Sequence, residues 1–494
     1  MGIAFHFPLL IIFLPMAAAI IMPLVRDSRK ARSITLLTHF VQIILAITLV
    51  ITLWNSPIWY FTYRMGYFPA PFGNEIGIGM LEALLVCVFS IVMTVCIYGT
   101  KKDLEKDIES GKRYFYYCML NLLSTALMAL VFTNDLFTAY VFIEVITIAA
   151  CSIVVAKENK DTLKATIKYL FLSVMGSGLF LMALAILYSI TGHLLMQYAG
   201  QSVAFLVAND LFQFPLVVSL LLFVVSIAVK SALFPFHSWL PDAHGSATTT
   251  SSAILSGLVL KGYVVFLIKL LHRVYGIEIV SGLGAFPVLF ALGVTGIVAG
   301  SVMACFQTKF KRLIAYSTVG QIGYIFMGMG LNTTSGFVAS SFHIIGHSFT
   351  KSMMFIAAGA LIAAAGSPNI AELVGAGRRN KIAGIAFTVG ALSMAGIPLF
   401  AGFVTKFYIA GASMYSEQSI WFVLPVLALS TFLSGVYYFP VLVKIYSKQE
   451  NVSEPIKPKF SANFVLIFLI AINIALGLFF MPLLRALEIG ILSL

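Results

Sequence analysis

The chain has 494 residues and a formal net charge of +12, with 60% hydrophobic and only 10% charged residues. Its mean hydropathy of +1.00 excludes a soluble globular protein, because a globular surface needs far more charged residues. The positive charges lie in short segments beside apolar runs, which excludes a nucleic-acid-binding face and indicates orientation in a membrane. The composition therefore predicts an all-α polytopic membrane protein surrounded by a lipid bilayer.

Apolar runs recur from end to end, each long enough to cross about 30 Å of hydrocarbon as a helix. The first run, residues 3–25, is too long for the apolar part of a signal peptide and precedes the basic segment RDSRKAR, so we expect a retained span. Hydropathy predicts about fourteen spans. Their approximate bounds are 3–25, 33–54, 78–99, 114–133, 135–156, 166–191, 213–236, 246–271, 279–305, 313–331, 335–365, 382–412, 419–446 and 462–484.

Lysines and arginines concentrate in the segments that follow odd-numbered spans, and the alternate segments are almost bare. By the positive-inside rule the basic segments are cytoplasmic, which places both termini on the outer face of a prokaryotic cell (inner) membrane. Residues 55–77 alternate aromatic and polar residues around Pro and Gly, which predicts an interfacial hairpin on the outside.

The five cysteines lie in apolar spans and show no Cys-x-x-Cys spacing. This pattern is typical of small buried hydrophobic residues and not of an iron–sulfur or zinc cradle. We therefore expect no cofactor in this chain.

A few ionisable residues lie within the predicted spans. A charge near the bilayer centre costs at least about 2.5–3.5 kcal/mol, so such residues are expected to be functional and to face the bundle interior or water. A purely structural Glu144–Lys230 ion pair is the simpler alternative. Lys168, Glu82 and Asp135 lie close to span ends and, like Lys269, could sit at the interface or snorkel. The mid-span residues are Glu144, Lys230, Lys261, His343, His347, Lys351 and Lys406.

Three of these residues share one face of the eleventh span. His343, His347 and Lys351 recur at i, i+4 and i+8, so they form a stripe along the helix. Such a stripe suits a proton relay. A zinc site would use the same histidine pair, but no carboxylate or cysteine is placed in the sequence to complete it.

Two spans are interrupted by proline. Pro235 and Pro241 break the seventh span after Lys230, and Pro398 breaks the twelfth before Lys406. The freed carbonyls must line protein or water, because lipid cannot satisfy them. The broken spans are five apart, and an odd offset makes a five-helix repeat insert in opposite orientations. The predicted divisions are three N-terminal spans with the hairpin, two five-helix repeats, and a C-terminal loop with the last span. Their bounds are 1–112, 113–273, 274–447 and 448–494.

Several stretches together resemble one family: the antiporter-like subunits shared by respiratory complex I, energy-converting membrane-bound hydrogenases and Mrp-type cation/proton antiporters. The resemblance covers roughly spans three to thirteen, and some stretches look closer to the hydrogenase and Mrp members. One departure is Leu399, where the family usually has a second proline. The stretches that carry the resemblance are AVKSALFPFHSWLPDAH, SGLVLKGYVVFL, KRLIAYSTVGQIGYIFMGMGL, FHIIGHSFTKSMMFIAAGA and LSMAGIPLFAGFVTKF.

The resemblance implies a fourteen-helix subunit with two inverted five-helix repeats, broken seventh and twelfth helices, and a hydrophilic axis along the membrane midplane. It implies that Glu144 is the carboxylate paired with Lys230, and that Lys261 is the central lysine. It further implies that His347, with His343 and Lys351, forms the polar stretch of the eleventh span and that Lys406 is the terminal lysine. The implied partners are other membrane subunits, including further antiporter-like ones, and H+, with Na+ open at the level of the complex.

These residues suggest a hypothesis for proton movement. Burial favours the neutral amine of a lysine and a nearby carboxylate favours the charged form, so a mobile Glu–Lys pair can bind and release a proton. We expect a redox-driven complex, in which this chain performs no chemistry of its own; whether it counts as an enzyme stays open. The alternatives are a subunit of an Mrp-type Na+/H+ antiporter, a solute carrier or a structural membrane scaffold.

Overall fold

A computed structural model of the chain describes residues 3–56, 59–68, 73–416, 420–448 and 460–494. Parts of three predicted features lie outside these ranges. They are the middle of the hairpin at 57–58 and 69–72, the first residue of the predicted thirteenth span at 419, and the C-terminal loop at 449–459.

The described residues form fourteen candidate crossings, α1 to α14, and two of them are interrupted. The first seven are α1 Phe7–Val25, α2 Ser28–Trp54, α3 Met80–Gly99, α4 Arg113–Phe132, α5 Leu136–Val155, α6 Lys160–Thr191 and α7, with halves Gln213–Lys230 and Leu240–Ser246. The others are α8 Thr249–Tyr275, α9 Ala285–Cys305, α10 Phe310–Gly330, α11 Thr334–Ala365, α12 with halves Lys381–Ala395 and Ala401–Ser413, α13 Ile420–Tyr446 and α14 Phe460–Leu478.

Among the described residues, twelve helices are long and apolar enough to cross a membrane by length and composition. The other two candidate crossings, α10 and α12, do not meet this criterion of length and apolar composition. The helix α10 carries many polar residues on a buried surface, and each half of α12 is too short alone. The last predicted span, 462–484, is instead two helices, because α14 ends at Leu478 and Phe480–Leu492 follows.

Shorter elements connect the crossings. Strands β1 Tyr60–Arg64 and β2 Glu75–Gly79 pair antiparallel, with Tyr60 opposite Gly79, where the hairpin is predicted. The short helices are Ile3–His6, Met65–Tyr67, Lys101–Asp107, Ser110–Lys112, Met196–Ala208, Phe236–Trp239, Ile277–Gly282, Ile370–Glu372 and Ala376–Arg379.

The helices that carry the central ionisable residues form the middle of the bundle. The whole apolar window of α8 is buried by protein, and most of α11 is buried too. By contrast, less than a third of the α2 and α14 windows is buried, so these helices lie at the periphery. Charged groups in lipid are costly, and the arrangement keeps Lys261, His343, His347 and Lys351 enclosed by protein.

The two broken helices divide differently. The halves of α7 have 18 and 7 residues, whereas those of α12 have 15 and 13. The backbone is left-handed at Ala232 in the first break, and at Gly396 and Leu399 in the second. A proline could not occupy position 399, because its φ is +79° there and proline requires about −65°. The leucine at this position therefore suits the local backbone.

Candidate functional site: a buried axis of lysines and histidines

Glu144 and Lys230 face each other between α5 and α7. Lys230 Nζ lies 3.4 Å from Glu144 Oε1 and donates to Thr147 Oγ1 at 2.8 Å. Ser177 on α6 donates a second hydrogen bond to the same carboxylate oxygen. The lysine side chain is fully buried, whereas the glutamate side chain is 27% exposed. The pair therefore joins the interior of the bundle to its surface.

Lys230 is the last residue of the first half of α7, so the interruption begins directly after it. The carbonyls freed there are satisfied by protein: Ala228 O accepts from Leu233 N at 2.9 Å and Val229 O accepts from Trp239 Nε1 at 3.3 Å. The two predicted break residues have different positions. Pro235 lies within the interruption, and Pro241 lies in the first turn of the second half, where proline is compatible with a helix.

Lys261 lies in α8 just after a π-helical turn, Leu255–Val259. Its Nζ donates to Ser256 O, a carbonyl within that turn, and Ser256 Oγ is 3.0 Å from Thr318 Oγ1 on α10. π-Helical turns interrupt the regular ladder and are frequent at functional sites. The turn therefore supplies a polar group to a lysine that is fully buried.

Lys351, on α11, contacts the same part of α10. Its Nζ donates to Ile314 O at 3.2 Å and to Ser317 Oγ, and Ser317 Oγ is 2.7 Å from Tyr438 OH. Ser317 is adjacent in sequence to Thr318, so neighbouring residues of α10 contact Lys351 and the turn that binds Lys261.

His343 and His347 stack on one face of α11, as their spacing predicts. Their ring centroids are 5.4 Å apart with an interplanar angle of 19°. His343 Nδ1 lies 3.2 Å from Thr405 Oγ1 in the second half of α12. Within the described residues, His343 Nε2 and both nitrogens of His347 have no hydrogen-bond partner. Buried imidazoles of this kind call for ordered water.

Lys406 spans the interruption of α12. Its Nζ donates to Ala395 O at 2.8 Å and to Thr431 Oγ1 at 2.7 Å, and it lies 5.5 Å from the centre of the Tyr324 ring. Gly396 makes room for this arrangement, since a Cβ there would lie 2.6 Å from Lys406 Cδ. The lysine thus satisfies a carbonyl freed by the break that it follows.

A second buried charge cluster lies at the end of α8 nearest the hairpin, and sequence reasoning missed it. Lys269 and Glu82 are fully buried side chains 3.7 Å apart, and Arg273 Nη2 donates to Glu82 Oε1 at 2.7 Å. Lys269 Nζ also donates to the carbonyls of Val131 and Thr133. The sequence feature that could have indicated this cluster is the spacing of Lys269 and Arg273, which are four residues apart on one helix. Snorkelling does not describe Lys269, which is enclosed by protein.

Three other residues have local roles or surroundings that the sequence did not reveal. Asp135 caps α5 by accepting from Thr138 N at 2.7 Å. Lys168 forms an ion pair with Asp242 at 2.8 Å. His244, at the end of the second half of α7, is fully buried, and neither ring nitrogen has a hydrogen-bond partner among the described residues. Its ring stacks on Phe355 of α11 with the ring centroids 4.7 Å apart, which places a further buried imidazole beside the helix that carries Lys351.

The described residues contain no group of three or more His, Cys, Asp or Glu side chains arranged to hold a metal ion. What they bring together is a series of amines and imidazoles. Lys261, Lys351, His343 and His347 are buried together at the centre of the bundle, and His343 contacts the half of α12 that carries Lys406. Such a set can bind, hold and transfer protons.

A helical bundle with two interrupted helices and buried ionisable residues defines the class of polytopic ion-translocating membrane proteins. Within this class, the chain belongs to the NADH:quinone oxidoreductase/Mrp antiporter transmembrane family, whose model matches residues 133–434. The matched region includes all the mid-span residues from Glu144 to Lys406. The chain is therefore an antiporter-like membrane subunit, of the kind that complex I and Mrp antiporters contain.

The relatives include subunits of NADH-quinone oxidoreductases and subunits of Na+/H+ antiporters. NADH-quinone oxidoreductase subunit N of Desulforudis audaxviator is 29% identical over 90% of this chain and 87% of its own length. A Na+/H+ antiporter subunit of Alkalihalophilus pseudofirmus is 28% identical over 72% of this chain and 70% of its own length. Sequence identity is thus nearly equal for an oxidoreductase subunit and an antiporter subunit.

Solved structures agree with the fold. A chain of an archaeal membrane-bound sulfane sulfur reductase, a respiratory complex, superimposes with a TM-score of 0.89 at 25% identity, covering 98% of this chain and 97% of that one. A chain of the Mrp complex from a Dietzia species also gives a TM-score of 0.89, at 19% identity and with 100% and 98% coverage. Both are chains of multisubunit membrane complexes, and this fold is therefore one used within such assemblies.

Proposed function

We propose that this chain is the proton-translocating subunit of a redox-driven multisubunit membrane complex. The Glu144–Lys230 pair carries the proposal. Glu144 is reachable from the surface of the chain while Lys230 is not, so a neighbouring subunit can displace the carboxylate and change the proton affinity of a buried amine. An ion pair with a purely structural role would not require one partner to be exposed and the other to be buried.

The proton then moves along the buried axis. Lys230 passes it towards Lys261, and from there it reaches Lys351 along α10, where Thr318 contacts Ser256 beside Lys261 and Ser317 accepts from Lys351. The stacked histidines of α11 carry it, with bound water, to the second half of α12. Lys406 is the last group, and it releases the proton to the outer side.

Membrane placement follows from the loop charges. We propose a prokaryotic cell (inner) membrane with the basic segments in the cytoplasm and both termini outside. The divisions after residues 112, 273 and 447 are part of this proposal. The chain binds no cofactor of its own and acts on H+ with other membrane subunits, including further antiporter-like ones.

A subunit of an Mrp-type Na+/H+ antiporter is the second candidate, and the similarity to the antiporter subunit of Alkalihalophilus pseudofirmus favours it. Na+ prefers several oxygen ligands, whereas Lys261, Lys351 and Lys406 are hydrogen-bonded to carbonyls and hydroxyls, with no carboxylate within 4 Å of these amines in the described part of the chain. This chain therefore suits protons, and any Na+ would be moved elsewhere in the complex.

The test uses the native complex in proteoliposomes containing a pH-sensitive dye. Lys230→Met and Lys406→Met should each reduce proton movement by about tenfold or more, because each removes a protonatable group from a serial path. An added electron donor should drive proton movement in the wild type, whereas an imposed Na+ gradient should not.

The matched control is Lys102→Met, which alters an exposed lysine in the segment after α3. It should leave proton movement unchanged. Wild-type proton movement in either Lys230→Met or Lys406→Met would contradict the pathway. Movement driven by a Na+ gradient alone would identify the second candidate instead.

A further inference from the structure

An open cavity of about 320 Å³ lies between α6, the second half of α7 and the start of α10. Four cationic side chains line it, Lys164, Lys168, Lys309 and Arg312, against two carboxylates, Asp161 and Asp242, which leaves a net charge of +2. The cavity lies beside the start of α6 and the start of α10, at the end of the bundle where two of the basic segments lie. None of its lining residues belongs to the proton axis described above.

The ion pairs inside the cavity do not neutralise all of its positive charge. Asp242 receives both Lys168 Nζ at 2.8 Å and Arg312 Nη1 at 3.3 Å, so one carboxylate is shared by two cations. Among the described residues, Lys164 and Lys309 form no ion pair within 4 Å, and Arg312 Nε is buried without a hydrogen-bond partner. These groups suit an anion that can accept several hydrogen bonds.

The apolar surface beside the cavity indicates what kind of anion. On α6, Lys164 and Lys168 share a face with Phe171, Met175 and Met182, because the spacing returns to the same direction every three to four residues. These three apolar side chains are between 53% and 68% exposed. A Cβ at Gly178, on the same face, would meet nothing within 4 Å.

The apolar strip formed by Phe171, Met175 and Met182 on α6 is long enough to cross one leaflet of the bilayer. From Lys168 to Met182 the helix rises roughly 21 Å, enough to pass through one leaflet of a hydrocarbon core about 30 Å thick. A cationic cavity that continues into an open apolar strip matches an amphiphile with a negative headgroup. A free phosphate ion would bind in the cavity but would make no contact with the apolar strip.

We propose that this cavity binds the phosphate headgroup of an anionic phospholipid, whose acyl chain lies along the Phe171–Met182 face of α6. Basic cavities between membrane helices on the cytoplasmic side are suited to such headgroups. The bound lipid neutralises the spare positive charge beside the second half of α7. It thereby fixes the short half-helix, of only 7 residues, against α6 and α10.

The experiment measures lipid binding to the purified full-length chain, with any co-purifying subunits, by native mass spectrometry. Phosphatidylglycerol should bind more tightly than phosphatidylcholine. The double variant Lys164→Gln/Lys309→Gln should weaken phosphatidylglycerol binding by roughly 30-fold, since each lysine near a headgroup contributes about a factor of five. Phosphatidylcholine binding should not change.

The matched control is Lys102→Gln/Lys106→Gln, which removes two exposed lysines elsewhere on the basic face. Equal weakening by both double variants, or by neither, would overturn the site. A second arm adds inorganic phosphate. Displacement of phosphatidylglycerol by millimolar phosphate, or full binding by Phe171→Ser/Met175→Ser, would show a site for free anions and would overturn the lipid assignment.

Discussion

Lys230 and Lys406 have different surroundings, although the sequence presents them as counterparts beside two broken helices. Lys230 has a carboxylate partner 3.4 Å away, whereas Lys406 is held by a carbonyl, a hydroxyl and the face of Tyr324. A carboxylate that moves can alter the charge state of Lys230. Lys406 has only neutral neighbours among these contacts, which is compatible with the terminal position that we propose for it.

The Glu82 cluster allows a stability prediction. Glu82→Gln removes the one carboxylate shared by Lys269 and Arg273, and leaves two buried cations without a counter-charge. Breaking a buried charge pair in this way costs about 3–5 kcal/mol. We expect a clear fall in the thermal unfolding midpoint of the purified protein in detergent.

The double variant Glu82→Gln/Lys269→Met is the control for this interpretation. It removes one of the stranded cations and should recover part of the lost stability. An unchanged midpoint in Glu82→Gln, or a double variant less stable than the single one, would contradict an electrostatic role for the cluster.

At the scale of elements, the two interruptions are closed by different side chains. In α7 the indole N–H of Trp239 donates to a freed carbonyl. In α12 a lysine donates to the freed carbonyl, and the two halves approach closely because Gly402 N lies 3.3 Å from Ser393 Oγ. The proline positions marked where the helices break, but which side chains close the breaks depended on packing.

The second half of α12 contains two glycines that make a matched pair of tests. A Cβ at Gly402 would lie 1.8 Å from Ser393 O, whereas a Cβ at Gly411 would meet nothing within 4 Å. Gly402→Ala must push the halves apart and should lower the free energy of unfolding by about 1–3 kcal/mol. It should also reduce proton movement, because Lys406 and Thr405 shift with the half-helix.

Gly411→Ala is the comparison for that change. It adds a methyl group into open space and should leave the unfolding midpoint unchanged or slightly raised, since alanine favours a helix by about 1 kcal/mol. Equal effects of the two alanines would mean that the close approach at Ser393 does not matter for the break.

At the scale of the whole molecule, the charges are arranged by depth. The lysines and arginines of the basic segments are mostly exposed or half-buried, whereas the mid-span groups of α8 and α11 are enclosed by protein at the centre. The bundle therefore separates the basic segments between the helices from the ionisable residues in its centre.

The direction of insertion can be measured with single cysteines in a variant whose five native cysteines are replaced. Lys102→Cys lies in the basic segment after α3, and Gln201→Cys lies in the exposed helix Met196–Ala208 on the opposite side. A membrane-impermeant maleimide should label Gln201→Cys on intact cells and Lys102→Cys only in inside-out vesicles. The reverse pattern would contradict the proposed orientation; labelling of both after lysis is the control.

The sequence by itself determined the helical crossings, the two interruptions and the mid-span ionisable residues. These depend on the length of apolar runs, on proline and on the cost of charge in lipid, all of which are local properties of the chain. The same reasoning placed spans at 313–331 and 382–412, where α10 and the two halves of α12 lie, although α10 and each half of α12 fall outside the twelve helices that are long and apolar enough to cross a membrane among the described residues.

Only the tertiary structure decided which charges meet. Glu82 and Lys269 are 187 positions apart along the chain and looked like interfacial residues, yet they are fully buried together. His244 packs on Phe355 of α11 and Lys168 lines a surface cavity because of how α7 folds back after its interruption. Pairing between distant helices depends on their relative rotation and depth, and no periodicity within a single helix contains that information.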